Sequence, residues 1–157
     1  MKKAQLLVSI FILQFITFGV YADSLNGQLM VYVPKAEIMN AGDSPDHSLL
    51  LAQLMGLMTL ENGEVATLTG SEVVDYNAGE NTFFGYMMMK FKDESTVSFR
   101  FEGEENPDTG AYQGSLLFTA GSGRYTGIKG KGKINGQNYE EIAGSHAIIR
   151  STYKIKK

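Results

Sequence analysis

Short β-rich runs follow one another along the chain, separated by Gly, Asn and Asp at turn positions, and no segment shows a convincing helical period. The pattern predicts strands at residues 28–39, 48–61, 64–76, 82–92, 95–103, 112–120, 124–134 and 144–155. Eight antiparallel strands close a small barrel whose interior is filled by side chains or holds one small ligand. We therefore predict an all-β fold, a single antiparallel eight-stranded β-barrel without a second domain.

The predicted hairpin around Asp93 and Glu94 has one register that sorts its side chains well. A three-residue loop at 92–94 pairs Phe91 with Ser95, because loop length decides which side chains share a face. One face then carries an apolar set, which is Met87, Met89, Val97, Phe99 and Phe101. A two-residue turn would mix this set with polar residues, so burial favours the longer loop. Glu94 would then adopt a left-handed, mildly strained backbone conformation.

Glycines punctuate residues 119–136, a run that otherwise alternates like a strand. The glycines that we expect to be structural are Gly121, Gly123, Gly127, Gly130 and Gly132. Glycine inside a strand supplies no side chain to pack and marks bulges, corners or close backbone approach. Neither the Walker pattern nor GxGxxG spacing is present, so a phosphate-binding loop is disfavoured.

Two segments resemble a known family. GSGRYTGIKGKG at 121–132 resembles the GTGRFxGxxGxG segment of bacterial allene oxide cyclase barrel-like proteins, relatives in fold of plant dirigent proteins. GYMMMKFKDESTVSFRFEG at 85–103 resembles that family's GYxxxxFxDGSTxxxxxxG, with Glu94 in place of the turn glycine. The resemblance covers most of the chain from about His47 onward and implies the barrel fold. Because these are glycine and turn motifs, it transfers no catalytic residue.

Residues 1–22 have the series expected of a signal peptide. Lys2 and Lys3 precede an apolar stretch at 6–20, and Val20-Tyr21-Ala22 matches a small-residue cleavage site. We expect a periplasmic or secreted protein whose β-barrel domain is residues 23–157 and which has no stable membrane span after cleavage. The absence of cysteine excludes a lipoprotein anchor and disulfides.

Charge disfavours nucleic acid as a partner. The formal net charge is −3, and it becomes −5 without Lys2 and Lys3. Lys129, Lys131 and Lys133 alternate with glycines, so they share one side of their strand. The favoured interpretation is protection of an exposed sheet edge, and an anion-binding patch is the alternative.

Candidate chemistry is sparse. His47 and His146 lack metal-ligand spacing and are expected to be ordinary residues, and no GxSxG nucleophile motif occurs. We predict no metal and no cofactor, and we assign no catalytic residue.

Tyr86, Arg100 and Glu102 form the candidate ligand-binding group, on the face opposite the apolar set of the hairpin. An inward orientation would demand a ligand or partners, because an isolated buried charge is costly. An outward or interfacial orientation is favoured, because the apolar face makes the better core.

Three functions remain open. The first is an exported barrel that binds a small apolar or amphipathic molecule, or a protein partner. The second, implied by the resemblance, is an allene oxide cyclase-like or dirigent-like enzyme that acts by positioning its substrate. The third is a structural homo-oligomer, a dimer or a trimer, at the cell surface.

Overall fold

The computed structural model describes residues 23–77, 79–139 and 143–155. They form eight strands: β1 (Gly27–Asn40), β2 (His47–Leu60), β3 (Val65–Asn77), β4 (Glu80–Lys90), β5 (Thr96–Glu105), β6 (Ala111–Gly121), β7 (Ile128–Tyr139) and β8 (Gly144–Ile155). Each strand pairs antiparallel with the next, and β8 pairs with β1. The sheet is therefore a closed barrel, which confirms the predicted fold class.

The predicted register of the β4–β5 hairpin is confirmed. Tyr86 lies opposite Arg100, and the Phe91 N–H donates to the carbonyl of Ser95 at 3.0 Å across the three-residue loop. Glu94 has a φ of 65°, the left-handed value that this loop requires.

The seventh strand begins later than predicted. We expected it from residue 124, but a 3-10 turn at Gly123–Tyr125 comes first and β7 starts at Ile128. The reason is local, because Gly123 and Gly127 have φ values of 58° and 79°, outside the β region. The strand then continues to Tyr139 rather than ending at 134.

Alternate residues of every strand point into the barrel and fill it. Bulky members of this core are Leu29, Met58, Leu68, Met89, Val97, Phe99, Ile128 and Ile149. Gly85 and Gly103 also point inward, and their missing side chains make room for rings. A Cβ atom at Gly85 would lie 2.5 Å from the Phe101 ring, and one at Gly103 would lie 2.6 Å from the Phe83 ring.

The two ends of the barrel differ. One end of the barrel, at which β2, β4, β6 and β8 terminate, is filled by aromatic rings in tilted and edge-on contact, and we call it the closed end. Tyr125 lies there with its ring centroid 5.0 Å from that of Phe91 and 5.9 Å from that of Tyr153. The Arg124 guanidinium lies 4.8 Å from the Phe91 ring centroid and 4.9 Å from the Tyr125 ring centroid. We call the opposite end the open end.

Within the described ranges, no helix has the length and apolar character needed to cross a membrane.

Candidate functional site

Inward-facing polar side chains gather near the open end. Glu72 on β3, Glu105 on β5 and Tyr112 on β6 occupy the same alternation as core residues of their own strands. Glu72, for example, lies between the buried Leu68 and Val74 in that alternation. Polar side chains thus interrupt the apolar core near the open end.

A small cavity lies among these groups. Its volume is about 40 Å³, and it is lined by Val31, Leu54, Glu72, Phe83, Met87, Phe101, Tyr112, Ile134, Asn138 and Ser145. Tyr112 also borders a wider cleft of about 690 Å³, formed by residues 79–82, 104–107, 111–113 and 135–136. The inner cavity has room for a few atoms only, and Tyr112 borders both the cavity and the cleft.

The Glu72 carboxyl is the most perturbed acid of the site. The pKa of this carboxyl is raised to about 7. Burial is the larger cause, and the negative charge of Glu105 is the smaller one. Within the described part of the chain no side chain or backbone group donates a hydrogen bond to this carboxyl. Glu72 is therefore able to gain or lose a proton near neutral pH.

Tyr112 is held in a defined position beside it. Its hydroxyl donates to the Ser145 hydroxyl at 3.3 Å, and its ring meets the Phe83 ring edge-on at 5.6 Å. A side chain at Gly136 would overlap the Tyr112 hydroxyl, so the lack of a side chain there leaves room for the tyrosine ring. Burial raises the pKa of Tyr112 to about 12 despite the Ser145 hydrogen bond. The phenol stays neutral and is a hydrogen-bond donor at physiological pH.

This arrangement can bind a polar group and exchange one proton with it. The carboxyl of Glu72 and the hydroxyl of Tyr112 are the polar groups, while Phe83, Met87 and Phe101 form an apolar wall. In the part of the chain that the structure describes, no cluster of three His, Cys, Asp or Glu side chains is arranged to hold a metal ion.

The three residues predicted from the hairpin lie elsewhere. Tyr86, Arg100 and Glu102 are on the outer surface, and Tyr86 is 56% exposed. Arg100 Nη2 lies 2.6 Å from Glu102 Oε2, so the charged pair satisfies itself at the surface. The outward orientation that burial favoured is the observed one, and any role in ligand binding remains a prediction.

The predicted structural glycines divide into two groups. Gly123 and Gly127 adopt positive φ, whereas Gly121, Gly130 and Gly132 lie in extended segments. A Cβ atom at Gly132 would lie 2.6 Å from the Ser151 Cβ atom, and one at Gly121 would lie 2.8 Å from the Ile128 Cγ2 atom. Their effect on stability remains a prediction.

His47 has partners that the sequence did not reveal. Its Nδ1 lies 2.6 Å from Asp43 Oδ1, and its Nε2 lies 2.8 Å from Asp75 Oδ1. Burial lowers the pKa of His47, but the hydrogen bonds to the two carboxylates outweigh it, and the net pKa is raised. The two carboxylates contact different nitrogens of the ring. His47 therefore links the loop between β1 and β2, through Asp43, to β3, through Asp75. His146 is an outward residue of β8, opposite Met30.

Sequence reasoning missed Glu72, Glu105 and Tyr112, although a signal was present. Glu72 shares the alternation of Leu68 and Val74, and Tyr112 shares that of Leu116 and Phe118. Strand parity alone would have placed both side chains inside the barrel.

Comparison with solved structures supports the fold. The dirigent protein PsPTS1, a pterocarpan synthase, superposes with a TM-score of 0.54 at 13% identity, covering 87% of this chain and 97% of that chain. The conserved protein of unknown function RPA1785 from Rhodopseudomonas palustris gives 0.57 at 10% identity, covering 85% and 99%. GePTS1, another pterocarpan synthase dirigent protein, gives 0.51 at 14% identity, covering 85% and 92%.

No protein-family model matches the chain, and no curated protein sequence matches it. The structural neighbours confirm the predicted resemblance at the level of fold, because the closed eight-stranded barrel of this chain is similar to the fold of those dirigent proteins.

Proposed function

We propose that the open end of the barrel binds one small amphipathic molecule. Its polar group, a hydroxyl or a carbonyl, contacts Glu72 and Tyr112, and its apolar part lies against Phe83 and Phe101. The observation that carries the proposal is the Glu72 carboxyl, which lines an internal cavity and has no hydrogen-bond donor among the described residues.

The energetics support an occupant at this position. Burial of most of the Glu72 side chain penalises the charged carboxylate, and a ligand hydroxyl that donates to the carboxyl would reduce that penalty. Tyr112 donates to Ser145 through a 3.3 Å contact, which is long for two hydroxyls, so its proton can be redirected to a ligand acceptor. The ligand would then have one hydrogen-bond donor, Tyr112, and one acceptor, Glu72, beside the aromatic rings of the cavity wall.

A catalytic version of this function is the second candidate. A carboxyl with a pKa of about 7 is suited to accept and return a proton at neutral pH. Glu72 would take a proton from a positioned substrate and return it to another atom, so the substrate isomerises without net gain or loss of atoms or electrons. The similarity in fold to dirigent proteins described as pterocarpan synthases is compatible with such substrate positioning.

We also propose export and self-association. The series at residues 1–22 supports export to the periplasm or beyond. Exposed apolar side chains support self-association, since Met30 lies opposite Leu57 and Tyr32 opposite Met55 on the outer face of β1 and β2. Sedimentation velocity distinguishes a monomer from a dimer or trimer, and Leu57→Glu is expected to shift an oligomer to the monomer.

Native mass spectrometry of protein purified from its own host tests the binding function. We expect a mass increment from a retained molecule in the wild type and its loss in Glu72→Gln. Glu37→Gln removes an exposed carboxylate that lies outside the cleft and is expected to retain the molecule. Equal retention by both variants, or the absence of any adduct under gentle conditions, contradicts the proposal.

A further inference from the structure

We propose that the outer face of β7 and β8 docks on an anionic lipid surface. This basic face consists of Lys129, Lys131 and Lys133 on β7 with Arg150 and Lys154 on β8, all of them exposed. It lies toward the closed end, away from the cleft at the open end. The inference is independent of the proposed ligand.

Protection of a sheet edge, the interpretation favoured from the sequence, is wrong for these lysines. β7 is paired along its length, with β6 on one side and β8 on the other. The barrel is closed and has no edge strand to protect. The lysines therefore need another explanation.

Cations of the basic face lie directly across from one another on paired strands. Lys129 lies directly across from Lys154, and Lys133 directly across from Arg150. Like charges at opposed positions on a sheet are destabilising. Because such pairs lower the stability of the free barrel, their presence favours a negatively charged partner.

Neighbouring strands neutralise this face only at its border, where Lys133 shares a groove with Glu102 and Glu104 of β5. β6 contains no charged residue, and neither does the stretch of β1 that pairs with β8. Arg150 has an ion pair with Glu61, Nη1 to Oε1 at 3.3 Å, and for the other four cations no ion pair forms within the described ranges. The positive potential is concentrated although the chain as a whole carries a net charge of −3.

A groove beside these cations offers space for anionic groups. Its volume is about 590 Å³, and Lys131, Lys133 and Arg150 line it together with Ser115 and Thr152. Among the described residues, no carboxylate lines this groove. Ammonium, guanidinium and hydroxyl groups are the donors that phosphate oxygens accept.

Apolar side chains at the border favour a lipid surface over other polyanions. Leu117 is 54% exposed and lies opposite Lys131, while Ile148 is 39% exposed and lies on β8 before Arg150. Basic residues mixed with exposed aliphatic side chains are typical of peripheral contact with anionic bilayers. Single-stranded nucleic acid is instead bound largely by stacking on aromatic rings, and the exposed apolar residues beside these cations, Leu117 and Ile148, are aliphatic.

Co-sedimentation with lipid vesicles tests the proposal. The protein used is residues 23–157, because every strand of the closed barrel lies within it. Vesicles of phosphatidylcholine mixed with phosphatidylglycerol are compared with vesicles of phosphatidylcholine alone at low ionic strength. We expect binding to the anionic vesicles only, with loss of binding as salt is added.

Two triple variants with the same change in charge provide the control. Lys129→Gln, Lys131→Gln and Lys133→Gln together are expected to lower the partition coefficient by about a hundredfold, given the contribution of each basic residue near an anionic surface. The matched triple removes exposed cations elsewhere, at Lys35, Lys90 and Lys92, and is expected to change binding by less than about tenfold. Thermal melts monitored by circular dichroism establish that each variant is folded.

Four results would overturn the proposal. The first three are failure of the wild type to bind anionic vesicles at low salt, equal losses in the two triple variants, and tighter binding to a short DNA or RNA than to vesicles at the same ionic strength. Inorganic phosphate is included as a competitor. Displacement by phosphate beyond that caused by chloride of equal ionic strength would show a free-phosphate site instead of a lipid surface.

Discussion

Replacement of Glu72 by Gln is expected to stabilise the barrel in a pH-dependent way. In the folded protein, burial raises the carboxyl pKa from 4.5 to about 7. Between these two pH values the unfolded chain has released the proton while the folded chain keeps it, so wild-type stability falls as pH rises. The full shift corresponds to about 3 kcal/mol, and the residual exposure of the side chain reduces this to about 2–3 kcal/mol.

Urea unfolding of wild type and variant measures the effect. Glutamine has no proton to release. Near pH 4.5 the free energies of unfolding of Glu72→Gln and wild type are therefore expected to differ only by a constant offset. Above about pH 8 the variant is expected to be more stable by a further ~2–3 kcal/mol, about the full effect of the shift. Glu104→Gln serves as the control, because its exposed side chain has no burial cost to relieve. A Glu72→Gln difference that is identical at both pH values would refute the assignment of Glu72 as a buried, perturbed acid.

Further predictions concern other parts of the barrel. An NMR titration of His47 is expected to give a pKa above 6.5, which Asp75→Asn lowers; the stabilising contribution of this contact is complete below about pH 6.5 and is lost as pH rises through the folded-state pKa. Gly127→Val is expected to cost about 1–3 kcal/mol, because φ is 79° there, and an unchanged melting temperature argues against this. Arg100→Ala is expected to cost at most about 1 kcal/mol, less in high salt, and to leave any retained ligand in place; a larger loss contradicts a surface pair with Glu102.

Local sequence patterns predicted the strands of this fold and the register of the β4–β5 hairpin. The loop at 92–94 followed from the requirement that Met87, Met89 and Val97 share a buried face, and the structure has this pairing. The start of β7 was not predicted, because alternation continues through Gly123 and Gly127 although their backbone leaves the β region. Apolar periodicity reports burial and does not report backbone dihedral angles.

The candidate site depends on information that a single strand does not contain. Glu72 lies near Tyr112 only because the barrel closes, and the two residues are distant in sequence. His47 likewise acquires Asp75 from the adjacent strand. The lysines of β7 were assigned to a sheet edge although the predicted barrel has none, and the pairing of β7 with both β6 and β8 excludes an edge there. Parity along each strand was available and would have identified the inward acids.

Methionine methyl NMR shows whether a small amphipathic molecule enters the barrel at Glu72. Met87 lines the inner cavity, whereas its neighbour Met88 points outward and is 38% exposed. Titration with 4-propylphenol, which combines a hydroxyl group and an apolar body, is expected to shift the Met87 methyl signal saturably and to leave Met88 unchanged. In Glu72→Gln the Met87 shift is expected to require more probe. Saturable shifts at Met88 with no change at Met87 would place binding on the outer surface and contradict the claim.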